Sequence, residues 1–109
     1  MLLYEVQLQI PEAIFPEWQR WMESVHIPDV LATGCFAGFM MAESLDAAEG
    51  FRACTIWYAL PSPAAWKRYQ QEFAPALQQD HRQRFPQVQA SRRMLRVVAG
   101  TIQWNDAGE

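Results

Sequence analysis

The stretch LYEVQLQI, residues 3–10, alternates between two kinds of side chain. The apolar members after its first residue are Tyr4, Val6, Leu8 and Ile10, and the polar members between them are Glu5, Gln7 and Gln9. Successive side chains of a β-strand point to opposite faces of the sheet. The alternation therefore predicts a half-buried strand at the start of the fold, and Pro11 is expected to end it.

The segment after Pro11 changes to the spacing of a helix. Its apolar side chains recur at intervals of three or four residues, at Ile14, Trp18, Trp21, Met22 and Val25. Pro16 suits a first helical turn, whereas Pro28 lacks the amide donor that a helix interior needs and is expected to kink or restart the helix. Gly34 is positioned to act as a left-handed C-terminal cap.

Two strand-like segments follow, CFAGFMMAESL at 35–45 and FRACTIWYAL at 51–60. A polar loop separates them, so they are predicted to pair as an antiparallel hairpin.

A second helix and a last strand complete the pattern. Ser62 followed by Pro63 is a typical helix start. Pro75 is expected to interrupt this helix before it resumes towards Arg84. The last strand is predicted from about 88 to 99, and Trp104 is expected to dock part of the tail.

The order of elements is β-α-β-β-α-β, which is the ferredoxin-like arrangement of the α+β class. It predicts a four-stranded antiparallel sheet with two helices on one face. Residues 1–109 are expected to form a single ferredoxin-like domain, because this length suits one core.

The periodicity of the strands also predicts which side chains face the helices. The predicted helix-facing set is Tyr4, Val6, Leu8, Ile10, Cys54, Ile56, Tyr58, Leu60, Leu95, Val97 and Ala99. The predicted opposite set is Glu5, Gln7, Gln9, Thr55, Trp57, Ala59, Arg92, Met94, Arg96 and Val98, with Phe36 and Met40 as further candidates. This mixed face is too polar for a core and too apolar to meet only water. A homodimer with two facing sheets is therefore expected, with Arg92 or Arg96 pairing with Glu5.

Composition excludes several other classes of function. The formal charge of −3 and the pI near 5.3 disfavour a nucleic-acid partner. No apolar run approaches the ~20 residues that span a bilayer, and the first residues lack the features of a signal peptide. The chain is therefore expected to be cytoplasmic, with no membrane partner.

The cysteines and histidines do not have the spacing of a metal site. Cys35 and Cys54 are interpreted as small buried apolar residues. His26 is interpreted as a half-buried structural group, and His81 as a solvated residue near a helix C-terminus. No metal and no cofactor are therefore expected.

The chain resembles an uncharacterised bacterial family of short proteins. The resemblance lies in LLYEV at 2–6, HIPDVLATGCF at 26–36 and the segment 61–95, which ends in SRRML. Three departures are Cys35 within the usual Gly-Phe pair, Phe73 in place of a histidine, and Val88-Gln89 where phenylalanine is usual. The resemblance implies the dimeric α+β-barrel superfamily, which includes cofactor-free monooxygenases and haem-degrading enzymes. It implies an architecture and transfers no activity.

A small-molecule site between the facing sheets is the leading functional hypothesis. Its predicted ligand-binding residues are Trp57, Arg92, Arg96, Met94, Glu5 and Gln7. They would hold a small apolar or aromatic acid, stacked on Trp57 with its anion at an arginine. The same residue types are enriched at protein interfaces, so a purely structural dimer remains open. The alternative is a cofactor-free enzyme similar to antibiotic-biosynthesis monooxygenases, acting on an electron-rich aromatic, in which Arg92 or Arg96 stabilises a phenolate. No catalytic residue is assigned.

Overall fold

The computed structural model describes residues 1–101, which form a sheet covered on one side by helices. The strands are β1 (Leu2–Pro11), β2 (Gly38–Glu43), β3 (Phe51–Leu60) and β4 (Gln89–Arg96). The helices are α1 (Phe15–Trp21), α2 (Ile27–Ala32), α3 (Pro63–Glu72) and α4 (Ala74–Arg84). A 3-10 turn (Glu12–Ile14) precedes α1, and a π-helical turn (Met22–His26) joins α1 to α2. Trp104, for which docking was predicted, lies outside the described residues.

The strands form one antiparallel sheet in the order β2-β3-β1-β4. The first and third strands are therefore central, and β4 is an edge strand beside β1. This is the ferredoxin-like order, which confirms the predicted α+β fold.

The helix boundaries follow from local chemistry. Ser62 caps α3 by accepting a hydrogen bond from the Ala65 amide at 3.2 Å. Gly34 has φ of +76°, which confirms the predicted left-handed cap. Pro28 lies in the first turn of α2, directly after the π-helical turn, so the predicted restart is also confirmed. Pro75 likewise lies at the start of α4, after a break at Phe73.

The core lies between the sheet and the helices. Its largest fully buried side chains are Trp18, Ile10, Met22, Ile27, Ile56, Leu60 and Val30. Cys35 and Cys54 are buried free thiols, as predicted, and burial raises the pKa of Cys54 to about 11.

The predicted faces of β4 are wrong. In the antiparallel pairing with β1, Arg92 lies opposite Val6 and Met94 lies opposite Tyr4, so both are on the helix-facing side. Directly paired residues share one face of a sheet. Arg96 pairs with Leu2 and has the same register, whereas Leu95 lies opposite Leu3 on the other face.

The inversion arises because little of β4 is buried. Every β4 residue except Met94 and Leu95 is exposed, so hydrophobic burial specifies the register of this edge strand only weakly. Two cross-strand pairs favour the observed register: Met94 lies opposite Tyr4, and Arg93 forms an ion pair with Glu5. Val97 and Ala99, which were predicted to face the helices, follow the end of β4 and are exposed.

We call the side of the sheet away from the helices the open face. Its residues are Leu3, Glu5, Gln7, Gln9, Met40, Ala42, Ala53, Thr55, Trp57, Ala59, Gln89, Ser91, Arg93 and Leu95. Phe36 was predicted here but packs on the other side, with its ring centroid 4.7 Å from that of Tyr69.

Candidate functional site

The centre of the open face is a buried carboxylate. Glu5 is only 3% exposed and accepts a hydrogen bond from Trp57 Nε1 at 2.9 Å. Arg93 Nε donates to it at 2.5 Å and Gln7 Nε2 at 3.2 Å. The arrangement follows from the register, because Trp57 on β3 and Arg93 on β4 are the direct cross-strand neighbours of Glu5.

The charge state of Glu5 is set by opposing effects. Burial alone would raise its pKa, but the hydrogen bonds from Arg93, Trp57 and Gln7 and the charge of Arg93 more than offset burial. The pKa of Glu5 is therefore lowered, and the carboxylate is ionised at neutral pH. Together with Arg93 it forms a neutral pair at the centre of the open face.

One end of the open face is an apolar depression of about 600 Å³. Its lining residues are Leu3, Met40, Trp57, Leu95, Arg96, Val97, Val98, Ala99, Gly100 and Thr101. Met40 is 41% exposed and Val98 is 89% exposed, so this apolar surface is available to a partner or ligand.

The other end of the open face is polar. A second depression of about 400 Å³ is bordered there by Gln7, Gln9, Ser44, Thr55, Gln89 and Ser91 among others. The open face thus changes from amide and hydroxyl groups at one end to apolar groups at the other, with the Glu5–Arg93 pair between them.

The structure divides the predicted ligand-binding residues between two surfaces. Trp57, Glu5 and Gln7 lie together on the open face, as predicted. Met94 lies on the helix side and does not join this group. Arg92 has the same helix-side register, but at the sheet edge it also borders a small depression of about 120 Å³ together with Glu5, Gln7, Ser91 and Arg93.

Two further arginines, Arg96 and Arg93, contribute to the open face. Arg96 borders the apolar depression although its strand register faces the helices. Arg93, which was not among the predicted ligand-binding residues, supplies the cation beside Glu5. The sequence could indicate Arg93 only as one of several basic residues on a strand next to the one that carries Glu5, and Arg92 and Arg96 shared that property.

A second concave surface lies between β4 and the helices α3 and α4. We call it the helix-side groove; it has a volume of about 590 Å³. Its lining residues are Tyr4, Trp66, Gln70, Ala74, Pro75, Gln78, Gln79, Arg82, Arg92, Arg93 and Met94. Tyr4, Gln78 and Arg92 also border a small inner chamber of about 30 Å³ that reaches His26 and His81.

His81 is buried, which corrects the predicted solvated position. It is 4% exposed, and its Nε2 accepts a hydrogen bond from Trp18 Nε1 at 3.0 Å. Burial is the largest cause that lowers the pKa of His81 to about 4, and the positive charges of His26, Arg92 and Arg82 add to it. The imidazole is therefore neutral at physiological pH.

His26 is half-buried, as predicted, and its ring lies 5.1 Å from that of Trp21. Burial lowers its pKa, with nearby Asp29 and Asp80 partly opposing the shift. Within residues 1–101, no three His, Cys, Asp or Glu side chains converge as a metal site would require. Over the same part of the chain, no helix is long and apolar enough to cross a membrane.

The ferredoxin-like topology and its open face define the structural class of this chain. The model of the family described as domain of unknown function (DUF4286) matches residues 1–98. The chain therefore belongs to this family. No curated protein has significant sequence similarity to it.

Similar solved structures share the fold at low sequence identity. A dimeric ferredoxin-like protein from an uncultured marine organism has a TM-score of 0.66 and 15% identity, over 94% of this chain and 100% of that chain. A second dimeric ferredoxin-like protein from an uncultured marine organism has a TM-score of 0.58 and 8% identity, over 92% and 97%. A de novo designed protein has a TM-score of 0.55 and 7% identity, over 88% and 97%.

Replacement of adjacent arginines on β4 tests the assigned faces. Arg93→Met is expected to lower the free energy of unfolding by about 1 kcal/mol, because it leaves the Glu5 carboxylate without its charged donor. This value lies below that of a fully buried pair because the Arg93 side chain is 64% exposed. Urea denaturation at neutral pH measures the change.

Arg92→Met is the matched control, since it removes the same group from the neighbouring position on the other face. It is expected to change the free energy of unfolding by less than about 0.5 kcal/mol. A larger loss for Arg92→Met than for Arg93→Met would contradict the assigned register of β4.

Proposed function

We propose that this chain forms a homodimer in which two open faces stack about a two-fold axis and enclose a small apolar or aromatic ligand. The observation that carries the proposal is the apolar depression beside the ion pair of the buried Glu5 with the exposed Arg93. Helices cover the opposite side of the sheet, so the open face is the sheet surface free to meet a second copy.

The electrostatics of the open face favour contact with another sheet. Burial of an unpaired charge costs several kcal/mol, whereas a hydrogen-bonded pair is much less costly to cover. Glu5 already has three donors within the protomer, including Arg93. A second open face could therefore cover the centre of the sheet without leaving an uncompensated carboxylate.

The apolar end supplies the surface for association. Leu3, Met40, Trp57, Leu95 and Val97 together border the depression, and aromatic and methionine side chains are enriched at protein interfaces. Two of the similar solved structures are described as dimeric ferredoxin-like proteins, which supports the same assembly for this fold.

The chemistry of the depression favours an apolar or aromatic ligand. Its volume of about 600 Å³ lies within the range of small-molecule sites, and the Trp57 ring offers a surface for stacking. An acid group on that ligand would have Arg96, which borders the depression, as its cation, because Glu5 already neutralises Arg93. The monooxygenase alternative has less support, because of its two proposed phenolate stabilisers Arg96 borders the depression but Arg92 has the helix-side register.

A charge on the open face is expected to weaken dimerisation. Leu95→Glu places a carboxylate next to the apolar depression, and dimerisation should weaken at least tenfold, a change of about 1.4 kcal/mol or more. Sedimentation at micromolar concentration is expected to show a dimer of the 12.6 kDa chain for the wild type and a shift to monomer for the variant.

Leu45→Glu is the matched control. Leu45 is 97% exposed in the loop between β2 and β3, away from the depression, so the same substitution there should leave the dimer unchanged. Circular dichroism verifies that both variants fold. A wild-type monomer at micromolar concentration, or equal weakening by both variants, would contradict the proposed interface.

The ligand is tested with 2-naphthol, a neutral aromatic probe, by NMR. Its addition is expected to shift the indole N–H signal of Trp57 in the wild type, and this shift should weaken in Leu95→Glu. If the wild type dimerises while the Trp57 signal stays unchanged, the interface stands and the ligand part of the proposal is wrong.

A further inference from the structure

We propose that the helix-side groove is a separate binding site for a small planar organic anion, a carboxylate or a phosphate ester. This inference is independent of the proposed dimer, because the groove lies on the helix-covered side of the sheet. It rests on the position of the groove, on two of its arginines that form no ion pair within the described residues 1–101, and on its aromatic wall.

The groove exists because the helices leave part of the edge strand uncovered. Ala90, Arg92 and Arg96, which have the helix-facing register of β4, are all exposed. Helix α3 ends at Glu72 and α4 restarts at Ala74, so the wall opposite β4 is built from two helices.

Two of the three arginines that line the groove have no acidic partner among residues 1–101. Among residues 1–101, neither Arg82 nor Arg92 forms an ion pair, and no aspartate or glutamate lines the groove. Both arginines contribute to the lowered pKa of nearby His81, so their positive potential extends into this region. A guanidinium can donate two parallel hydrogen bonds to a carboxylate or phosphate, which makes this pair of arginines suitable for such groups.

Neutral donors lie beside the two arginines. Gln78 and Arg82 are one helical turn apart on α4, so they project from the same face of that helix. Gln70 and Gln79 add two further amide side chains to the lining. These groups can donate hydrogen bonds to an anion or accept them from polar substituents of the ligand.

An aromatic wall completes the groove. The rings of Tyr4 and Trp66 lie 4.8 Å apart and are tilted by 46°, and Met94 and Pro75 extend the apolar surface. Tyr4 is itself buried behind this wall, so a planar ligand can pack on the half-buried Trp66 and Met94 side chains while its charged group meets the arginines. The volume of about 590 Å³ suits a small molecule rather than a simple ion.

The anion is expected to prefer this groove to the open face. On the open face Arg93 is already paired with the buried Glu5 carboxylate, so a ligand in the apolar depression would meet one arginine that is free of ion pairs within residues 1–101, Arg96, rather than two. In the groove, Arg82 and Arg92 have no such competitor among the described residues.

The experiment titrates the whole protein with 2-naphthoate, 2-naphthyl phosphate and the neutral 2-naphthamide by calorimetry. At least one of the two anions is expected to bind about tenfold more tightly than 2-naphthamide, which is the gain that one additional charge-assisted hydrogen bond would give. The relative affinities of the two anions identify which acid group the site prefers. Equal binding of all three probes, or binding of none, would overturn the proposal.

Matched variants locate the site. Arg92→Gln is expected to weaken binding of the anion about tenfold. Arg20→Gln removes an equal charge from an exposed position on α1 and should leave the affinity unchanged. Equal losses for the two variants would indicate a general charge effect and contradict the groove. Leu95→Glu should not reduce anion binding, which distinguishes failure of this site from failure of the open-face dimer.

Discussion

Acidification from pH 7 to about 5 is expected to lower the free energy of unfolding by about 2 kcal/mol through His81. In the unfolded chain the His81 imidazole takes up a proton as the pH falls through its ordinary pKa of 6.5. In the folded protein it stays neutral until the pH falls to about 4. The unfolded state therefore binds more protons within this window. The contribution of the neutral His81 to stability is present above pH 6.5 and is lost progressively below it. The loss reaches about 3 kcal/mol near pH 4.

Urea denaturation across this pH range measures the loss. His26 contributes in the same direction, because its pKa is also lowered. Glu5 affects stability only at more acidic pH, because its pKa lies below the ordinary value of 4.5. Measurements above pH 5 therefore report mainly on the histidines.

His81→Gln is the control for this assignment. The amide oxygen of glutamine can accept the Trp18 hydrogen bond but does not titrate. The variant should lose most of the pH dependence between about 7 and 5. A wild-type profile that stays flat in this range, or one that His81→Gln leaves unchanged, would show that His81 is not held in its neutral form by burial.

Replacement of Trp18 by phenylalanine is expected to lower the free energy of unfolding by about 3 kcal/mol. Trp18 is fully buried, so the smaller ring leaves a cavity between α1 and the sheet. The change also removes the donor to His81 Nε2, which leaves a buried acceptor without its partner. Chemical denaturation at pH 7 measures the combined loss.

Trp57→Phe is the matched control, because it also removes an indole N–H that donates to a buried acceptor. Trp57 is only half-buried on the open face, and Glu5 keeps its hydrogen bonds from Arg93 and Gln7. The expected loss in the protomer is less than about 1 kcal/mol. If Trp57→Phe destabilised the protomer more than Trp18→Phe, the assigned core would be wrong.

The predicted faces of β1 and β3 agree with the structure. In β1 the apolar positions Tyr4, Val6 and Leu8 are all buried. Glu5 was correctly placed on the open face, but the alternation could not show that it is itself buried. Its burial depends on Trp57 and Arg93, which come from two other strands.

The candidate site was only partly predictable for the same reason. The three arginines at 92, 93 and 96 are alike in chemistry, and β4 has no continuous apolar side that would set its register. The pairing of Arg93 with Glu5 requires knowledge of which β4 residue lies opposite β1. Arg92 consequently moves from the predicted dimer interior to the helix-side groove.

The sequence by itself determined the order of elements, the breaks at Pro28 and Pro75, and the buried side of the central strands. These features depend on local chemistry, namely the missing amide of proline and the alternation of apolar residues. Only the tertiary structure decided the burial of His81 and the faces of the β4 arginines. Both depend on contacts between residues far apart in the chain, Trp18 with His81 and Glu5 with Arg93, which no local pattern specifies.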